Sequence, residues 1–220
     1  MSSGIIIRSM SSRRDPRLVA LRAAFRTVGP LAPALAARWA EALFCRPPRQ
    51  VARANEEAFI ASGRAFAVEA DGHRYAAWEW GAGPTVLAVH GWGSRAGRFH
   101  LLAAALAAAG RRVVAFDAPG HGRSTGRRSS MIEFARAVRA VAEAAGPVHG
   151  VVGHSLGGAA IALALSEGLE ARRAALIATP ADPGAYSVLF AELLGIPTAV
   201  REAMQRNLES RFSRRWSDLH

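Results

Sequence analysis

The chain has 220 residues, half of them hydrophobic and a fifth charged, with a single cysteine, Cys45. That is enough for one domain with a sizeable core and a globular rather than disordered composition, and one cysteine excludes a disulfide framework or a Cys-based metal site. The formal charge is +11 and every basic residue is arginine; the surplus is concentrated before residue 50, where nine arginines face only Asp15 and Glu41.

Met1 to Pro16 is Ser/Arg-rich and polar and reads as a disordered basic tail over 1–16. Ile5-Ile6-Ile7 is too short for the apolar part of a secretory signal, and no stretch approaches the roughly 20 apolar residues that span a bilayer; the expectation is a cytoplasmic chain. Leu18, Leu21, Phe25 and Val28 recur at helical spacing until Gly29-Pro30 breaks the pattern. Leu31, Leu35, Trp39 and Leu43 make a second stripe, stopped by Pro47-Pro48. Two amphipathic helices are expected within 17–62. Their arginines fit a solvated face, with peripheral membrane contact or self-association through 17–45 as further uses and no nucleic acid partner expected.

From Gly63 the pattern changes. Ala65–Ala70 and His73–Trp80 read as two strands turning at Asp71-Gly72. Thr85–Val89 is an apolar strand that runs into His90-Gly91-Trp92-Gly93. Phe99–Ala109 is helical and is ended by Gly110. Arg112–Phe116 is the next strand, opening into Asp117-Ala118-Pro119-Gly120-His121-Gly122-Arg123-Ser124. Ser130 and Glu133 form a capping box for a helix to about Ala145. Gly150-Val151-Val152 ends a buried strand, Gly153-His154-Ser155-Leu156-Gly157 is a tight turn, and a helix follows to about Leu169. Ala174–Ala178 is a further apolar strand. Asp182-Pro183 starts helices over 183–220, with breaks at Gly195 and near Phe212. Alternating strands and helices, with strands apolar on both faces, indicate an α/β fold whose mostly parallel sheet is flanked by helices.

Two loops carry the chemistry. In G-x-S-x-G after a strand and before a helix, the turn strains Ser155 so that its hydroxyl stands clear, and side chains at Gly153 and Gly157 would collide with their neighbours. The N–H of Leu156 opens the helix and faces a developing oxyanion. The backbone held open by Gly91 and Gly93 can aim the N–H of Trp92 at the same oxygen. His90 is read as a loop hydrogen-bonding residue rather than a base.

H-G-W-G, D-A-P-G-H-G-R-S and G-H-S-L-G-G, in this order and at these intervals, resemble the α/β-hydrolase fold superfamily over about Gly63 to Pro180. The serine at the elbow disfavours the branches with an aspartate nucleophile and places the likeness in the serine-nucleophile branch (AB hydrolase-1 / serine aminopeptidase-like), where esterases, lipases, amidases, serine aminopeptidase-like enzymes and acyltransferases all stay open. The resemblance implies an α/β-hydrolase core over 63–182 and a partial helical cap over 183–220. It makes Ser155 the nucleophile, Trp92 and Leu156 the backbone oxyanion donors, and His90, Gly91, His121 and His154 the substrate-binding residues. No metal or other cofactor is expected. The implied activity is hydrolysis of a small-molecule ester, thioester or amide through an acyl-enzyme on Ser155. An acyltransferase using the same parts, and a non-catalytic remnant binding an acyl ligand or partner, are the alternatives. The family's acid and histidine, which follow later strands, have no counterpart; Asp182, His121 and His220 are the residues that could stand in. The expectation is a truncated form of a longer hydrolase.

Overall fold

The computed structural model describes residues 15–182 and 184–219. The basic tail up to residue 14, and His220, lie outside them. The described residues fall into two units, one running from Arg46 to Ala181 and the other joining the residues up to Cys45 with those from Asp182 onward.

The Arg46–Ala181 unit is built on a six-stranded sheet. Its strands are β1 (Arg64–Ala70), β2 (His73–Trp80), β3 (Thr85–Val89), β4 (Arg112–Phe116), β5 (Val148–His154) and β6 (Arg173–Ile177), in the spatial order β1-β2-β4-β3-β5-β6. β1 and β2 form a hairpin through Asp71-Gly72, where both residues take positive φ, and β2 runs antiparallel to β4. The other four strands are parallel. The chain passes from β3 to β4 through a 3-10 turn (Ala96–Phe99) and α4 (His100–Ala108), and from β4 to β5 through α5 (Met131–Ala145). α6 (Leu156–Ser166) links β5 to β6. A further helix, α3 (Ala54–Ser62), precedes β1. Ile60 of α3 and Phe99 and Ala103 at α4 pack on Trp78, Ala88, Val113 and Ala115. On α5 and α6, Phe134, Val138 and Ile161 are fully buried. The central strands are therefore covered by apolar residues on both faces, as a parallel sheet requires.

The register positions the site. Val89 pairs with Phe116 on one side and with Gly153 on the other. The three loops that leave β4, β3 and β5 thus emerge side by side at the carboxyl ends of the strands. β3 is also where successive connections diverge to opposite sides, the place at which open α/β sheets leave a crevice.

The second unit is helical: α1 (Pro16–Leu31), α2 (Pro33–Phe44), α7 (Gly184–Leu194) and α8 (Thr198–Phe212), followed by a 3-10 turn (Trp216–Leu219). Asp15 caps α1 by accepting from the Arg17 N–H at 2.8 Å. Leu18, Phe25, Ala36, Ala40, Val200 and Met204 share its core, and the Phe25 and Trp39 rings stack at 4.3 Å.

Several local expectations are corrected. Gly29-Pro30 does not break α1. Pro30 falls in the last turn, where its missing N–H forfeits only one helical bond, and the break comes at Ala32, whose φ of −144° and ψ of 69° are non-helical. The second apolar stripe is displaced, because α2 buries Ala36, Ala37 and Ala40 while Leu31 and Leu35 are exposed. α3 was not read in the sequence, although Glu56 accepts from the Arg53 N–H at 3.4 Å, as the acid of a capping box does. β6, read as an apolar strand like the others, is exposed at all five residues.

Candidate active site

Ser155 joins β5 to α6 with φ of 52° and ψ of −123°. That region is essentially glycine's, so a serine there is strained by about 1–3 kcal/mol. The neighbours hold it in place. The Ser155 N–H donates to the Ile177 carbonyl at 2.8 Å, and the Ser155 carbonyl accepts from the Gly158 and Ala159 N–H groups at 2.9 and 3.3 Å. The turn closes only because two side chains are missing. A Cβ on Gly153 would lie 2.7 Å from the Gly158 backbone, and one on Gly157 would fall inside contact with the carbonyl oxygens of Val89 and His90. Ser155→Gly, which relieves that strain, should raise the unfolding free energy by about 1 kcal/mol, whereas Ser155→Ala, which keeps the Cβ, should not; urea titration of the two variants separates them.

The loop after β3 lies against this turn. A Cβ placed on Gly91 would be 3.1 Å from the Ser155 Cβ and 3.2 Å from the His154 Nδ1. Gly91, Ser155 and His154 therefore converge on one point, with Ser155 half-buried and His154 exposed. Leu156 is the first residue of α6, so its N–H has no carbonyl partner within the helix.

His90 and His121 lie behind the loop rather than in the cleft, at 1% and 3% exposed. His90 pairs its Nδ1 with the Gly91 carbonyl at 2.7 Å, and its Nε2 accepts the Ala118 N–H at 3.0 Å. His121 pairs its Nδ1 with the Pro119 carbonyl at 2.9 Å, and its Nε2 accepts the Gly93 N–H at 3.0 Å. A carbonyl at one nitrogen and an N–H at the other fix a neutral ring protonated at Nδ1. Burial drives both below the ordinary histidine range, His90 to about 4 and His121 to about 3, the latter helped by the neighbouring His90. These rings tie the loop after β3 to the loop after β4. In this arrangement both nitrogens of each ring are already engaged by backbone groups.

Asp117 does similar work that the sequence reading did not foresee. Its carboxylate accepts from the Ala96 N–H at 2.8 Å and the Arg123 N–H at 2.7 Å. Burial still raises its pKa, with those two hydrogen bonds pulling the other way. Ser124 donates to the Asp117 carbonyl and accepts the Ala76 N–H at 2.9 Å. The signal for these ties was the D-x-x-G-H-G-x-S spacing itself.

Of the stand-in residues, Asp182 belongs to the helical unit, where its carboxylate accepts the Gly184 N–H at 2.6 Å ahead of α7. His220 lies outside the described residues. Among the described residues no three His, Cys, Asp or Glu side chains are gathered as metal ligands would be, and no helix is long and apolar enough to cross a membrane.

Comparison with known proteins finds several similar chains. A monoacylglycerol lipase from Mycolicibacterium smegmatis (strain ATCC 700084 / mc(2)155) is 40% identical over 81 residues, covering 33% of this chain and 29% of the lipase. The thioesterase domain from the curacin biosynthetic pathway is 30% identical with a TM-score of 0.45, over 48% of this chain and 40% of its own. A mutant of VrEH2 is 22% identical with a TM-score of 0.50, over 60% and 46%, a likeness of fold alone. The chain thus spans less than half the length of each of these relatives. The model of one hydrolase family, serine aminopeptidase S33, matches residues 82–217. That stretch takes in all three loop motifs and more than half of the sequence, and the chain accordingly belongs to the serine aminopeptidase S33 family and has the α/β-hydrolase fold.

Proposed function

We propose that the chain carries the nucleophile and oxyanion site of a serine hydrolase acting on a small acyl substrate. The Ser155 hydroxyl adds to the acyl carbon, and the N–H groups of Leu156 and Trp92 hold the oxygen that becomes negative. The leaving alcohol, thiol or amine departs with the hydroxyl proton, and water then releases the acid from Ser155. The observation that carries this reading is the backbone of Ser155: a strained serine between β5 and α6, with the Gly91 loop held against it. Strain of that kind persists only where the surroundings enforce it. Similarity to a monoacylglycerol lipase supports an ester as the acyl donor.

The proton acceptor has to be sought outside His90 and His121, whose nitrogens are committed. A serine without a positioned base keeps only the rate supplied by oxyanion stabilisation and binding, roughly 10³–10⁴ over water. An activated probe reads the nucleophile without asking for full turnover. A fluorophosphonate should label the chain at one site, and Ser155→Ala should abolish the label. Labelling that survives the substitution, or a folded chain that never labels, would overturn the assignment; in the second case binding of an acyl ligand to that chain would favour the non-catalytic alternative.

A further inference from the structure

The turn between α1 and α2 is not used by any of the chemistry above. From Pro30 to Leu35 it reads P-L-A-P-A-L, and every residue but the half-buried Ala32 is exposed, Leu31 by 81% and Leu35 by 63%. The helices spend their inward faces on Phe25, Ala36, Ala37 and Ala40, so the tip of the hairpin has no protein to bury against within its own unit. Behind the apolar tip stand two exposed arginines. Arg26 is one helical turn before Pro30 on α1, and Arg38 is three residues after Leu35 on α2. No acidic residue occurs between Asp15 and Glu41, and Glu41 faces Arg211 at 3.6 Å.

We propose that this hairpin tip docks on an anionic lipid surface. Leu31 and Leu35 enter the boundary between headgroups and acyl chains, with Pro30 and Pro33 beside them, and Arg26 and Arg38 stay at the level of the lipid phosphates. An apolar end with a cationic collar fits that boundary on both counts. A second copy of the chain fits poorly, because a tip-to-tip pair would gather four arginines with no carboxylate among them. Five exposed residues in a six-residue tip reach into an interface and not across it, in keeping with the absence of a membrane-spanning helix among the described residues. The inference is independent of the chemistry assigned to Ser155.

The test is co-sedimentation of the full chain with vesicles of phosphatidylcholine, with and without about one third phosphatidylglycerol. Wild type should bind the anionic vesicles, and more weakly as salt is raised. Leu31→Ser/Leu35→Ser should lower the partition coefficient at least about tenfold, and Arg26→Gln/Arg38→Gln by about tenfold or more on anionic vesicles alone. All these side chains are exposed, so the melting temperature should stay at the wild-type value. The exposed pair Arg127 and Arg128 is the control for general positive charge: Arg127→Gln/Arg128→Gln should leave partition unchanged. Wild-type partition by the leucine variant, an equal loss in the control pair, or a leucine variant that changes oligomeric state on a sizing column would each overturn the proposal.

Discussion

Lowering the pH from 7 to 5 should destabilise the Arg46–Ala181 unit by about 4 kcal/mol. An unfolded histidine takes up its proton near pH 6.5, but His90 and His121 resist it in the folded state until about pH 4 and 3 because they are buried. Over this interval the unfolded chain binds more protons than the native one, so stability falls as pH falls. The stabilisation is complete above pH 6.5 and is lost progressively below it. At pH 5 each ring has lost about 1.5 pH units of it, roughly 2 kcal/mol, whatever its final pKa below that point. Asp117 acts in the opposite sense, since burial raises its pKa and protonation favours the native state, so 4 kcal/mol is a ceiling. Glu56 and Glu79 are also partly desolvated, but arginine hydrogen bonds outweigh that and lower their pKa values; they enter only below about pH 4.5. Urea unfolding at the two pH values measures the loss. His121→Gln, which can still accept from Gly93, should halve it. A stability unchanged between pH 7 and 5 would mean that the rings are not buried neutral ties.

Gly157→Ala should severely destabilise the same unit, while Gly150→Ala, seven residues earlier, should be tolerated. The new methyl group at position 157 would meet the backbone carbonyls of Val89 and His90. Val89 is fully buried in a central strand and His90 is tied at both ring nitrogens, so neither can withdraw. Overpacking against immovable backbone belongs at the severe end of single substitutions, about 3 kcal/mol or more. At Gly150 the nearest atom to a new Cβ is 3.6 Å away, an ordinary contact, and the expected change is within about 1 kcal/mol. Circular dichroism melting of the two purified variants decides the matter. A Gly157→Ala protein that melts with the Gly150→Ala protein would show that the elbow is looser than its geometry requires.

The parts of this fold that were legible in the sequence are those where one residue type answers one local demand. The β-branched pair Val151-Val152 favours an extended strand, and the glycines around Ser155 and the Asp71-Gly72 pair mark turns that residues with larger side chains would not permit. Alternating connections add that the sheet is mostly parallel, while the strand order came only with the structure. Pro30 misled because a proline's cost depends on its place in a helix, and the last turn forgives it. Leu31 and Leu35 misled because a stripe at helical spacing does not say which face the alanines on the opposite side will claim. α3 was missed because its caps lie in a polar stretch without a strong apolar period. His90 was read as a loop hydrogen-bonding residue but without its partners, and the role of His121 could not be read: a histidine in a glycine-rich loop looks the same whether its ring faces a cleft or a pair of backbone groups. Their partners, Ala118 and Gly93, are 28 residues away in sequence in each case, a relation that only the parallel pairing of β3 with β4 creates.

The hold on Ser155 passes through β6. Its N–H is anchored on the Ile177 carbonyl, yet Ile177 is the last residue of a strand that pairs with β5 and is open to solvent at every position. Solvated strands open at a lower free energy than the core around them. The serine's unusual torsion angles are thus only as permanent as the least protected strand of the described sheet. Opening of β6 would remove the Ile177 bond to Ser155, so the torsion angles of the elbow draw on the outer strand as well as on the glycines beside the serine.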